Sequence, residues 1–275
     1  MPTMSMRSAP SLVGSMRLSP LYQALGIGST ETIFLIGHAD GLPLNDPYQV
    51  SSVQDVVNLM GADADCPLLR ALLEAYYSGA RDIFLVAAAP MSEYVNELAD
   101  RSTVVEGMTF WQRYQERLNV TYALLLQWDL PKFIVPVEAS LTGTGGVDFL
   151  TPLAEHCDAA FGITGAIRLG LLGNKGKLDD AMIQEALADN RLDSLGDAGR
   201  FVAVLLGEAL LLIQELPSTY ATPVVAAVAG ELSNLRLDRG LTYHRLRNVI
   251  RPTHADLSSA TIQALAERGL NVMIR

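Results

Sequence analysis

Two glycine-rich segments are the parts of the sequence that come closest to a nucleotide site. The segment 170–177 (GLLGNKGK) resembles a P-loop, but Leu171 stands where the motif needs glycine and Leu178 where it needs Ser or Thr. The segment 141–146 (LTGTGG) approaches the dinucleotide fingerprint, but Asp148 holds the last glycine position, and a carboxylate there repels pyrophosphate. We therefore interpret the first segment as a turn and the second as a flexible connection, and we expect no cofactor.

Histidine and cysteine, the other residue types that often carry chemistry, are sparse. The chain has four histidines and two cysteines: His38, His156, His244, His254, Cys66 and Cys157. None has the spacing of a metal site, and the neighbours His156 and Cys157 point to different faces of a helix. These patterns predict no catalytic, cofactor-binding or metal-binding residue and a protein that is not an enzyme. An α/β enzyme with a site beside His156 or His254, assembled only in space, remains an alternative.

The composition limits the class of protein. The chain has 275 residues, 49% hydrophobic and 18% charged, enough for one large domain or two modest ones. A net charge of −10 argues against nucleic acid as the direct partner and against an anionic membrane surface. Apolar runs such as 202–206 and 209–213 are far short of the ~20 residues that cross a bilayer, so we expect no membrane insertion. Two cysteines do not make a disulfide scaffold and suit reduced thiols in a protein made in the cytoplasm.

Residues 1–30 differ from the rest of the sequence. They are rich in Ser, Pro, Met and Gly and show no sustained hydrophobic period. We interpret this segment as an extended N-terminal arm that orders on a partner, and residues 31–275 as the folded body. A subdomain break is possible near 90–105.

The body alternates short apolar runs with amphipathic stretches. We predict strands at 32–37, 83–86, 133–137, 167–172, 201–206, 210–213 and 270–274. We predict helices at 53–60, from about 67 to 78, at 108–126, 147–161 and 179–187, from Thr222-Pro223 onward, and at 258–268. This order predicts an α/β fold, a layered core with a mostly parallel or mixed sheet flanked by helices.

The order of these pieces resembles the sheath protein of contractile phage-type tails. Near the start, the resemblance rests on ETIFLIGHADGLP (31–43), QVSSVQDVVNLMG (49–61) and PLLRALLEAYYSGARDIFLVAAA (67–89). Near the end it rests on TPVVAAVAGELSNLRLDRG (222–240) and LSSATIQALAERGLNVMIR (257–275), of which 269–272 is the most specific match. The middle of the chain agrees only in its alternation of elements. The family usually has a Pro-Ala-Asn segment where YHRLRN (243–248) stands, and it continues past the closing strand. The resemblance therefore implies a relative shortened or truncated at the C-terminus, or a sheath-like component that does not link its neighbours in the usual way.

The resemblance implies a structural subunit that polymerises in many copies. Sheath subunits add strands of their terminal arms to a neighbour's sheet and contract by moving between two packings. The implied partners are an inner tail tube, baseplate and terminator proteins, and the implied location is a virion tail assembled in the host cytoplasm. Another tail component, a terminator or baseplate adaptor on the same core, is the second reading. We expect assembly contacts from the arm and from a run of arginines: Arg7, Leu12, Val13, Arg17, Arg236, Arg239, Arg245 and Arg247.

Overall fold

The computed structural model of the chain describes residues 11–13, 31–60, 66–98, 104–142, 144–174, 176–211, 220–234, 246, 249–254 and 256–274. Within these ranges the strands are β1 (Ser11–Val13), β2 (Ile33–His38), β3 (Tyr48–Gln49), β4 (Ile83–Ala89), β5 (Phe133–Pro136), β6 (Leu169–Leu172), β7 (Val202–Leu206), β8 (Glu208–Leu211), β9 (Tyr220–Pro223), β10 (Val249–Pro252) and β11 (Leu270–Ile274).

The helices in the same ranges are α1 (Val53–Met60), α2 (Pro67–Tyr77), α3 (Met91–Leu98), α4 (Phe110–Leu125), α5 (Leu150–Thr164), α6 (Asp180–Ala188), α7 (Arg191–Ser194), α8 (Val225–Asn234) and α9 (Ser259–Glu267), with a 3₁₀-helix at Gly196–Phe201. Several begin at residues whose side chains cap the helix. Ser52 accepts from the backbone N–H of Asp55 at the start of α1, and Ser258 accepts from Thr261 at the start of α9. Thr109 and Gln112 form a capping box that begins α4 two residues later than predicted.

The main sheet has eight strands in the order β1-β11-β7-β6-β5-β2-β4-β3. The six inner strands are parallel, and the edge strands β1 and β3 are antiparallel to their neighbours. The residues of the inner strands are buried on both faces, as a parallel sheet between two helix layers requires. The predicted α/β class with a mostly parallel sheet is confirmed.

Two helix layers cover opposite faces of this sheet. The Cα of Gly170 faces Leu153 of α5, and the Cα of Gly173 faces Val225 of α8. Positions 170 and 173 point to opposite faces because side chains alternate along a strand. Helix α8 lies with α2 on one side, and α5 lies with α4 on the other.

A second, three-stranded antiparallel sheet (β10-β8-β9) follows directly from the first. Gly207, at φ +87°, separates β7 from β8 and turns the chain out of the main sheet. Strand β8 pairs with β9 from Glu208↔Pro223 to Leu211↔Tyr220. The prediction that Thr222-Pro223 starts a helix is therefore wrong: both residues end β9, and the helix begins at Val225.

Other predicted boundaries shift by a few residues. Strand β4 runs on to Ala89, three residues past the prediction, and β8 begins at Glu208 instead of 210. The predicted subdomain break near 90–105 falls on α3 and on residues outside the described ranges, and stays a prediction.

Candidate assembly edge and its surroundings

Strand β11 carries the edge of the main sheet where residues of the N-terminal arm lie. Gly269, at φ +75°, ends the turn after α9, and the apolar run that follows enters the sheet beside β7. Leu270, Val272 and Met273 are buried. Asn271 is buried too, and its side-chain amide donates to the carbonyl of Val204 at 3.0 Å. The core therefore fixes the position of β11 from one side.

The other side of β11 is paired with β1. The register joins Ser11 with Ile274, Leu12 with Met273 and Val13 with Val272 in antiparallel order. Strand β7 pairs with β11 only as far as Val272. Met273 and Ile274 of β11 therefore pair only with β1 in the main sheet. Arm residues thus occupy main-chain groups that an open sheet edge would offer to another chain.

The opposite edge of the sheet is built differently. It is formed by the two residues of β3, which pair with Leu85 and Phe84 of β4. Gln49 also donates to the carboxylate of Asp82 at 3.4 Å. Such a short edge strand from the folded body offers little for strand addition, which leaves the β1/β11 edge as the candidate assembly surface.

The carboxyl ends of the parallel strands are the usual ligand-binding place in an open α/β sheet. Strand order reverses between β2 and β5, and here the ring of His38 packs against Phe110 and Tyr114 at centroid distances of 5.5 and 4.5 Å. The cavity beside Val137 and Glu138 measures about 90 Å³. That volume is well below the ~300–1,000 Å³ of small-molecule pockets, so side chains fill most of the crevice.

The two glycine-rich segments hold carboxylates of the protein itself. Residues 170–172 belong to β6, so the interpretation of 170–177 as a turn is wrong for its first part. The N–H of Gly176, in the later part, donates to a carboxylate oxygen of Glu208 at 2.8 Å. A P-loop aims such N–H groups at phosphate.

The second segment, 141–146, is held by side-chain contacts and is not the flexible connection that the sequence suggests. Arg191 donates to the carbonyl of Leu141 at 2.7 Å and pairs with Asp148 at 3.2 Å. Asp148 also accepts from the N–H groups of Leu150 and Thr151, at 2.9 and 3.1 Å, at the start of α5. A helix N-terminus of this kind binds pyrophosphate in dinucleotide-binding folds, and here the predicted obstructing carboxylate occupies it.

His156 and Cys157 are both buried in α5 and have different neighbours. Nε2 of His156 lies 3.0 Å from the guanidinium of Arg168, and the ring stacks on Tyr122. Burial, and then the charge of Arg168, lower the pKa of His156 to about 3. Burial raises the pKa of Cys157 to about 12, which keeps it a neutral thiol. Among the described residues, no group of three or more His, Cys, Asp or Glu is arranged to hold a metal ion.

The structure describes only part of the predicted assembly residues. Leu12 and Val13 lie in β1, on the edge of the main sheet. The arginines lie outside the described residues: Arg7, Arg17, Arg236, Arg239, Arg245 and Arg247. Their role in assembly stays a prediction. The sequence did not single out β11 as the receiving edge, although it predicted the strand itself.

Comparison with known proteins gives the fold a context. No protein-family model matches the chain, and no curated protein matches it in sequence. The part of the chain that the structure describes has no helix long and apolar enough to cross a membrane.

Solved structures that are similar in fold include three from contractile systems. One is the helical sheath of the anti-feeding prophage (AFP) in its contracted state, at 13% identity, TM-score 0.50 and 99% of this chain. The second is the AFP baseplate in its contracted state, at 17% identity, TM-score 0.56 and 86% of this chain. The third is the sheath complex of PVC, an extracellular contractile injection system, also contracted, at 13% identity, TM-score 0.50 and 95% of this chain. The chain spans 62%, 58% and 58% of those chains. The chain thus shares its fold with contractile sheath and baseplate structures, in agreement with the sequence resemblance.

Proposed function

We propose that this chain is a structural subunit of a contractile phage-type tail sheath. It polymerises as stacked rings or a helix around an inner tube and drives contraction by rearrangement of its subunits. The observation that carries the proposal is the pairing of arm residues Ser11–Val13 with β11, which pairs an arm with the edge where strand addition would join copies. The fold shared with contractile sheaths over 99% of the chain supports it.

In this proposal, the link between subunits is made by main-chain hydrogen bonds. The arm of one copy adds to β11 of the next, and the folded bodies move while the arm pairing persists. Strand addition suits a moving polymer because main-chain bonds between strands do not depend on how the side-chain surfaces of two bodies match. The partners are further copies of the chain, a tail tube protein, and baseplate or terminator proteins, without direct nucleic-acid contact or membrane insertion. The location is the tail of a virion assembled in a host cytoplasm.

The proposed role is not enzymatic. It needs no nucleotide site, and Glu208 and Asp148 occupy the N–H groups where the two glycine-rich segments would bind phosphate. Contraction would instead draw on the free-energy difference between two arrangements of the same subunits.

A baseplate or terminator component on the same core is a second candidate. The AFP baseplate structure has the higher TM-score, 0.56 against 0.50 for the two sheaths. A subunit of that kind would close a ring and stop, whereas a sheath subunit repeats along the axis.

Negative-stain microscopy of the purified full chain at increasing concentration distinguishes the candidates. A sheath subunit gives tubes with an axial repeat, and a terminator or baseplate adaptor gives single rings. Deletion of residues 1–30 is the control, and it should leave a folded monomer by circular dichroism and sedimentation. Intact tubes after this deletion would contradict the linking role of the arm.

A further inference from the structure

Strand β1 belongs to the same chain as the edge that it covers, so a single copy satisfies its own linking site. The three pairs run from Ser11↔Ile274 to Val13↔Val272. A neighbour that adds its own arm to β11 must displace this strand, because β7 already holds the other side of β11. We infer that the subunit is self-capped, and that assembly proceeds by exchange of β1 between copies. This inference rests on the proposed sheath function.

The connection from β1 to β2 is long enough for either arrangement. Val13 lies level with Leu206 on β7, and Ile33 lies level with the start of β6 and β7. Strands β1 and β2 are five strand spacings apart. Strand spacings of ~4.8 Å and a rise of ~3.3 Å per residue put Val13 and Ile33 about 30 Å apart. Residues 14–32 can span at most about 65 Å when fully extended. A subunit of this length is roughly 50 Å across, so β11 of a copy in contact is within reach.

The length of the connection between β1 and β2 determines the effective concentration of β1 at its own β11. Exchange competes with self-capping when the concentration of a neighbour's β1 is similar. A covalent connection whose mean length matches its span holds the tethered strand at an effective concentration on the order of millimolar. Free copies at micromolar concentration therefore keep β1 on their own edge. Copies in contact, one for each cube about 50 Å on a side, are at a local concentration of about 10 mM, where exchange becomes competitive.

Self-capping therefore prevents free subunits from assembling in solution. Contact with the end of a growing polymer allows exchange of β1 and removes this block. Exchange replaces three main-chain pairs with three identical pairs, so it costs little once copies are aligned. An open parallel sheet edge promotes unwanted pairing, and self-capping protects it before assembly.

Paired cysteines test the closed form directly. Leu12 and Met273 are opposite each other, and antiparallel partners have Cα atoms ~4.5–5.5 Å apart, within the range of a disulfide. The native Cys66 and Cys157 are buried and do not compete. We expect the L12C/M273C variant, oxidised at 5 µM, to form an intramolecular disulfide and stay monomeric. Failure of the pair to close within one chain would overturn self-capping.

Mixtures of the single variants L12C and M273C test exchange. We expect almost no disulfide-linked heterodimer at 5 µM and abundant heterodimer near 1 mM. A heterodimer yield that does not change with protein concentration would overturn the proposal that self-capping prevents exchange in dilute solution. The control pair A209C/T222C lies across β8 and β9 in the folded body, so it should close within one chain while its single variants do not link in mixtures.

Assembly of the L12C/M273C variant separates this inference from the proposed function. Tubes that form after reduction but not under oxidation support both. Tubes that form equally in the two states would refute the exchange step and leave the sheath function standing. Cross-linking as expected, with no assembly in either state, would support self-capping and contradict the sheath function.

Discussion

The guanidinium of Arg168 lies 3.0 Å from Nε2 of His156, and both side chains are buried. Arg168 also donates to the carbonyls of Leu125 and Trp128 at the end of α4. His156 belongs to α5, and Arg168 immediately precedes β6. One side chain thus joins two helices and a central strand, and it satisfies carbonyls that the end of a helix leaves without intrahelical partners.

Replacement of Arg168 by Met should destabilise the fold. Arg168→Met removes the donor from the buried ring nitrogen of His156 and from the part-buried carbonyl of Trp128, while the carbonyl of Leu125 keeps the backbone N–H of Trp128. Each buried polar group left without its partner costs about 1–3 kcal/mol. We expect the free energy of unfolding to fall by roughly 2–4 kcal/mol in urea titrations monitored by circular dichroism. Arg168→Lys keeps the charge but not the planar set of donors. Its free energy of unfolding should therefore lie between those of the parent and the Met variant. A Met variant as stable as the parent would show that these bonds contribute nothing net.

The pH dependence of stability should report on His156. Its pKa is about 3 in the folded chain and ~6.5 when unfolded, so the unfolded state binds the proton first as pH falls. The contribution of neutral His156 to the free energy of unfolding is therefore present above about pH 6.5 and is lost as the pH falls below it. The loss is about 1.4 kcal/mol between pH 7.5 and 5.5.

The control for this prediction is His156→Gln, whose amide oxygen can accept from Arg168 without titrating. Urea midpoints of both proteins at pH 7.5, 6.5 and 5.5 give the comparison. The parent should lose about 1.4 kcal/mol more than the variant over this range. Parallel pH profiles would show that His156 is not held neutral by the fold.

The contact between α2 and α8 should tolerate no side chain at Gly230. A Cβ at this position would lie 2.3 Å from the carbonyl oxygen of Ala75 and 2.9 Å from Cβ of Ser78. We expect Gly230→Ala to lower the free energy of unfolding by about 2–3 kcal/mol because the helices must separate.

Gly162→Ala is the matched control in another helix. Gly162 is exposed in α5, and a Cβ there meets nothing within 4 Å. Helix propensity alone should make this variant more stable by about 0.5–1 kcal/mol. Equal thermal shifts in the two variants would contradict the close packing of α2 on α8.

The main sheet was predictable because its strands are short apolar runs between turn residues. Strand β11 matches its predicted range, since Gly269 marks its start and the run 270–274 is apolar. The second sheet was not predictable in this way. Thr222-Pro223 has the local chemistry of a helix start, but pairing with β8 holds it in a strand, and that pairing has no local signal.

The candidate site was also predictable only in part. Leu12 and Val13 were predicted as assembly residues because their segment lacks a period of its own. Their partner on β11 lies at the other end of the sequence, and main-chain pairing leaves no pattern in side chains. Arg168 is an ordinary charged residue in the sequence, and only the fold reveals that it is buried beside His156.

If main-chain hydrogen bonds of residues 11–13 link the copies, as we propose, two variants that differ in these backbone donors should differ in assembly. Ser11→Pro/Leu12→Pro/Val13→Pro keeps the length of the arm and removes its three backbone donors, whereas Ser11→Ala/Leu12→Ala/Val13→Ala keeps them. Sedimentation velocity and negative-stain microscopy of both, at a concentration where the parent assembles, give the measurement. We predict assemblies from the alanine variant and folded monomers from the proline variant. Assemblies of parental length from the proline variant would show that main-chain hydrogen bonds of residues 11–13 do not link the copies.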